Sequence, residues 1–305
     1  YDESQWYEGG AFMWGDKRWC NPRYNPHTTI DEETCNREDA YPEPRVGAGI
    51  RFGPGTEYGY VRGNVFENVT DALAGIIHVG DIEDNLFYGA TAGGWNLTGH
   101  RNTFRNNTVL KSGWGPAAWY GVCVFMASPG DTGVKVYRNE IAYTGSPQRS
   151  GDQCGLMVDS KSVGIKFEGN LLRDNRGPAF EVGMAGENKY LTIKNNVTFN
   201  NGTDLTNFGH PEFIGDASGF HPPRQQVSIT GNRVYYGSQN TPFAYLYHLH
   251  PDGAVDYPTY VRIAQEEFGH IVRDNDIHGF GEYTLPLFPE PKPMPGNLAL
   301  QAAAY

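Results

Sequence analysis

Ile165-Lys166-Phe167-Glu168-Gly169-Asn170-Leu171-Leu172 is the stretch that decides the fold of this chain. Two apolar residues flank a lysine, a short polar step leads to an asparagine, and apolar residues follow. The same phrase appears earlier, around Val61, Asn64 and Phe66, around Ile82, Asn85 and Phe87, around Phe104, Asn107 and Val109, and around Val134, Val136, Asn139 and Ile141. It returns around Leu191, Ile193 and Asn196, around Val227, Ile229, Asn232 and Val234, and around Val272, Asn275 and Ile277. Successive marker asparagines fall 21, 22, 32, 31, 26, 36 and 43 positions apart. A unit of roughly 20–30 residues that recurs is the mark of a solenoid, in which each unit buries its apolar face only against its neighbours. Alternation with a period of two makes those units strands rather than helices. Asparagine tolerates left-handed backbone, so the marker suits the tight turn between two strands of one coil. Stacked asparagine side chains can also hydrogen-bond along the stack as a ladder.

The phrase resembles the right-handed parallel β-helix repeat of pectate-lyase-like proteins, and the resemblance runs from about Val46 to Gly281. It implies an all-β, single-stranded solenoid of about eight to ten coils, with the Val, Ile, Leu and Phe of each phrase pointing inward. Residues 1–45 do not repeat; with Trp6, Trp14, Trp19 and several prolines they read as an arm or cap over the first coils. Coils are expected over 46–281, with loops inserted at the longer spacings. Tyr260–Phe268 is the one segment with helical character, and 282–305 reads as a proline-rich extension. The arm and the extension would both suit self-association.

Composition narrows the function. The 305 residues carry a formal charge of −11, with only 19% charged residues and many glycines and tyrosines. A strongly acidic chain is a poor partner for nucleic acid, and no apolar stretch is long enough to span a membrane. A polysaccharide or other lightly charged glycan is the expected partner, and a secreted, extracellular protein the expected setting; Tyr1 could follow a completed cleavage. Cys20 and Cys35 bracket a Pro-, Asn- and Thr-rich segment that a disulfide would restrain. For Cys123 and Cys154, on successive coils, both a second bridge and buried thiols are open. Asn-x-Ser/Thr sequons at Asn68, Asn96, Asn106, Asn196 and Asn201 are glycosylation candidates, although Asn-rich turns before Thr-rich strands also create them by chance.

The candidate chemistry lies after the loops. Gly155-Leu156-Met157-Val158-Asp159 and Gly177-Pro178-Ala179-Phe180-Glu181 each place an acid four residues past a glycine. If these frames are in register, Asp159 and Glu181 project outward from adjacent strands roughly 5 Å apart, the spacing of a retaining glycosidase pair. The same phrases resemble the core of some β-helix glycoside hydrolases, which implies Asp159 and Glu181 as catalytic acids. The alternative is that both are solvated acids on a sheet. Lys161, Arg173 and Asp174 could extend the site, the last two being equally readable as an ion pair. His221, His248 and Trp119 are further substrate-binding candidates, with His248 and His250 placed on one strand face. A polysaccharide lyase is a second enzymatic reading, and calcium would enter only there, through Asp152, Asp159 and Glu181. Otherwise no cofactor and no metal is expected. A structural or adhesive β-helix, such as a glycan-binding spike, is the non-enzymatic reading.

Overall fold

The computed structural model describes residues 48–67, 69, 71–90, 95–113, 123–127, 131–145, 153–158, 161–183, 188–203, 210–220 and 226–282, and the structural statements below concern these. The proposed arm, the proposed extension and the Cys20–Cys35 pair lie outside them.

Three parallel sheets form the walls of a solenoid. The first sheet stacks Ala48–Glu57, Asp71–His78, Trp95–Thr98, Phe125–Ala127, Leu156–Val158, Phe180–Val182, Ile214–Asp216 and Ala244–Leu246, and ends in the antiparallel Ala254–Val255. The second sheet runs from Tyr60–Arg62 to Ile271–Arg273, and the third from Val65–Glu67 to Asp276–His278, with eight strands in each. Each coil therefore contributes three short strands. Within Lys166–Glu168 only Phe167 is buried, as a period-two strand with one face on a core requires. Val61, Ile82, Phe104, Val136, Phe167, Ile193, Ile229 and Val272 stack as one inward file, each in register with the next. Beside the first sheet, core aromatics overlap along the axis as well, with Phe213 and Phe243 stacked at 5.0 Å between ring centroids.

The corner between the second and third sheets is always two residues long, as in Gly169-Asn170. All the unevenness of the repeat falls at the other two connections. The marker asparagines sit at this corner, as the sequence predicts, but they are not its left-handed residues. Positive φ belongs to the residue just before each marker: Gly63, Asp84, Asn106, Arg138, Gly169, Asn195, Gly231 and Asp274, at 53–68°. The marker's task is instead to turn its amide inward. From Asn85 through Asn275 each marker Oδ1 accepts both the backbone N–H and the Nδ2–H of the marker one coil earlier, at 2.9–3.1 Å. The second Nδ2 proton goes to a carbonyl of the preceding coil, for example from Asn170 to Val136 at 2.9 Å. The buried marker amides are thereby paired, as buried polar groups require.

A second ladder lines the corner between the third and first sheets. Asn175 accepts from the Thr144 N–H, Asn201 accepts from Asn175, and the chain of amides ends on Glu212. At the C-terminal end the coil is closed by an α-helix, Tyr257–Ile263, continuing as one wide turn through Ala264–Phe268. The Asp256 carboxylate caps it by accepting the Thr259 N–H at 3.0 Å, and Gly269 ends it at φ 69°. Tyr260, Ile263, Ala264 and Phe268 face the core and cover what would otherwise be an open end. The sequence signal for helix there is borne out.

Val158 lies at the centre of this core and is fully buried. Val158→Ala is expected to lower unfolding stability by roughly 2–3 kcal/mol, two methyl groups plus the cavity they leave. Denaturant titration of the pair of proteins checks it.

Candidate functional site

The first sheet carries Glu181, and its register differs from the glycine frames. Leu156–Val158 pairs with Phe180–Val182 so that Met157, not Asp159, lies opposite Glu181. The strands are 24 residues out of phase, whereas the two acids are 22 apart, so the glycine frames do not set the register. The reason lies in the connection: the Gly177 N–H donates to the Gln153 carbonyl, so Gly177 is the counterpart of Gln153 and not of Gly155. Asp159 itself lies outside the described residues, as do Asp152, Trp119 and His221.

Glu181 does alternate away from the coil interior, as expected, yet it is fully buried. Its neighbours are sulfur atoms. Cys123 and Cys154 form a disulfide, one of the two alternatives open from the sequence, and their Sγ atoms and a Glu181 carboxylate oxygen all lie within 4.8 Å of one another. Cys123, Cys154 and Met157 make a small buried cluster on this outer face, separate from the main core.

The other candidates are dispersed by the fold. Lys161 takes a left-handed position at φ 52° beyond the end of the strand and does not continue the face of Met157. Arg173 and Asp174 sit on the outside of the third sheet and its corner, not with Glu181 on the first. Arg173 donates to Glu140 at 2.7 and 3.0 Å, to the Tyr143 hydroxyl at 2.8 Å and to Asp174 at 2.8 Å. Burial opposes its charge, but Glu140 and Tyr143 outweigh that and raise its pKa. This is an ion-pair network stapling consecutive coils. His248 and His250 do not alternate on a strand either, because the strand ends at Leu246 and Tyr247–Leu249 is a 3₁₀ turn. His248 packs edge-on against Phe268, whereas His250 Nδ1 is 2.7 Å from the Tyr245 hydroxyl. Of the sequons, Asn196 and Asn201 are buried ladder amides, each Nδ2 donating twice within the corner. Asn106 holds a half-buried corner, Asn96 lies in Trp95–Thr98, and Asn68 is outside the described residues.

One polar grouping and one groove had no sequence signal. Asp216 occupies an inward row beside Val182 and Leu246, where a carboxylate is costly. It accepts from the Tyr260 hydroxyl and the Ser218 N–H, each at 2.8 Å, with His270 Nε2 3.6 Å away. Burial pushes its pKa up, but His270 and Ser218 overcome this and hold it below the ordinary value; burial and Asp216 push Tyr260 well up. Ser218 Oγ lies 3.1 Å from the same Nε2. Serine and aspartate thus address one ring nitrogen, which rules out the relay through both nitrogens that a nucleophilic triad uses. These partners are 44 and 52 residues apart, so no local pattern announces them.

The groove runs along the corner where Tyr190, Gln226 and Gly269 stack before the second sheet. It encloses about 330 Å³ and is also lined by Thr192, Ser228 and Ile271. Gly269, at the C-terminal end of this column, carries no side chain. Tyr190 and Ile271 are 60% and 55% exposed and form its walls, and the Thr192 and Ser228 side chains, in register on adjacent strands, are half-buried along it. Its lining holds no Asp, Glu, Lys, Arg or His.

Neither the comparison with curated proteins nor that with solved structures finds a match. A family model described as a right-handed beta helix region matches residues 48–234, which hold most of the three stacked sheets and the asparagine ladder as far as Asn232. The chain belongs to the right-handed β-helix family.

Proposed function

We propose that this β-helix is an extracellular carbohydrate-binding protein that holds a neutral glycan along its flank. The observation that carries the reading is the groove at Tyr190. An exposed tyrosine face opposite an aliphatic wall suits the apolar side of a pyranose ring, and two hydroxyls and an amide suit its hydroxyl groups. The uncharged lining and the net charge of −11 favour a neutral sugar over a uronate. Burial of Glu181 beside a disulfide, with Met157 as its lateral neighbour, weighs against the retaining hydrolase pair and towards binding.

The test is titration with a panel of neutral and uronate oligosaccharides, with product analysis on the same samples. Tyr190→Ala is expected to weaken neutral-glycan binding by roughly 5–30-fold, the ~1–2 kcal/mol of an aromatic contact, and to leave thermal stability unchanged. Preference for uronates, or affinity unaffected by Tyr190→Ala, defeats the proposal. Cleavage of any glycan that Glu181→Gln or Asp159→Asn abolishes would replace it with the hydrolase.

A further inference from the structure

We propose that Cys123, Cys154 and Glu181 form a zinc site when the disulfide is reduced. Three donor atoms of zinc-ligand type lie within 4.8 Å of one another, all on buried residues. Neighbouring donors in a tetrahedral zinc site are roughly 3.5–4 Å apart, given Zn–S near ~2.3 Å and Zn–O near ~2.1 Å, so side-chain rotation alone assembles it. The donors come from three consecutive coils whose backbones are already tied together. Phe125 pairs with Leu156, Met157 pairs with Glu181, the Val124 N–H donates to Gly155 at 2.8 Å and the Gly155 N–H to Pro178 at 3.0 Å. Breaking the sulfur–sulfur bond therefore leaves the ligands in place instead of releasing them.

The donor set selects the metal. Two thiolates are too soft for calcium, which takes oxygen ligands, and with one carboxylate they match zinc. The fourth position is left to water. Disulfide and zinc exclude each other, because a sulfur bonded to sulfur is no longer a thiolate donor. An external dithiol reductant cleaves the Sγ–Sγ bond by exchange, supplies two electrons and two protons, and leaves as its own disulfide. Zinc then displaces both thiol protons to solvent. The metal takes over the cross-link between coils wherever the compartment keeps thiols reduced, and the disulfide does so where it is oxidising.

The experiment uses the full chain, reduced with excess dithiol without oxygen, desalted, and given zinc alone in competition with a colorimetric zinc chelator. Thiol alkylation is followed in parallel. The reduced chain is expected to take up one zinc and to protect both thiols, and the oxidised chain to take up none. Cys154→Ser should abolish uptake. Glu181→Gln, which keeps both thiols, should weaken it by more than the ~10-fold that loss of an outer-shell partner costs. Equal uptake by reduced and oxidised chains, or an unaffected Glu181→Gln, overturns the proposal. If the reduced chain loses its strand signal in zinc-free buffer, zinc must restore it, and failure to do so overturns the proposal equally.

Discussion

At pH about 8, Glu212→Gln is expected to be more stable than the wild type by roughly 5 kcal/mol, whereas near pH 4.5 the two proteins should be alike. Glu212 is fully buried at the end of the second amide ladder. Burial pushes its pKa up from 4.5 to about 8, against the hydrogen bonds from the Asn201 Nδ2–H and N–H, which favour the carboxylate; Asp174 adds to the rise. A raised folded pKa means that stability is fully present below the unfolded value and is lost as pH climbs through the folded one. Between 4.5 and about 8 the unfolded chain releases this proton and the folded chain keeps it. Each pH unit in that interval costs about 1.4 kcal/mol. Glutamine carries no titrating proton, yet its Oε1 can accept both Asn201 donors just as a ladder asparagine does. The difference in urea-unfolding free energy between variant and wild type, followed from pH about 4.5 to about 8, isolates the effect from every other titrating group. A difference that stays flat with pH would show that Glu212 ionises freely in the fold.

Asn170→Ala is expected to cost roughly 4 kcal/mol or more, although it removes no apolar contact. The change deletes the acceptor of the Asn139 N–H and Nδ2–H and the donor to the Val136 carbonyl and Asn196 Oδ1. All of these lie inside the corner, and each orphaned buried group costs about 1–3 kcal/mol. Asn64 provides the control. It begins the ladder, its side chain is exposed, and Asn64→Ala should cost less than ~1 kcal/mol. Because a solenoid can open between coils, hydrogen exchange should accompany the unfolding curves, with protection falling first in the coils beside residue 170. An Asn170→Ala protein as stable as the Asn64→Ala one would mean that water replaces the missing amide.

Legibility followed the constancy of the backbone. The corner before each marker asparagine never changes length, so its phrase survives in the sequence and yields both the strands and the ladder. Even there one detail escaped: the left-handed residue is the one before the marker, because the buried amide and the strained φ are separate requirements of the turn. Around Glu181 the reading failed for the opposite reason. Insertions fall on either side of the first sheet, and a glycine frame of 22 residues conceals a strand offset of 24. A slip of two keeps a side chain on its face but changes its lateral neighbour, so Glu181 still points outward and meets Met157.

The sequence by itself determined a parallel β-helix, the residues of its inner file, the asparagine ladder and the helical segment at Tyr260–Phe268, since these rest on periodicity and on contacts one coil away. Only the tertiary structure decided what the polar residues do. It placed Asp216 with Tyr260 and Ser218, ended an amide ladder on Glu212, set Glu181 beside the Cys123–Cys154 bridge, and opened the groove at Tyr190 by stacking it over Gln226 and Gly269. Those neighbourhoods join coils whose loops differ in length. The identity of a lateral neighbour is set by the summed length of every insertion between two strands, which no local pattern records.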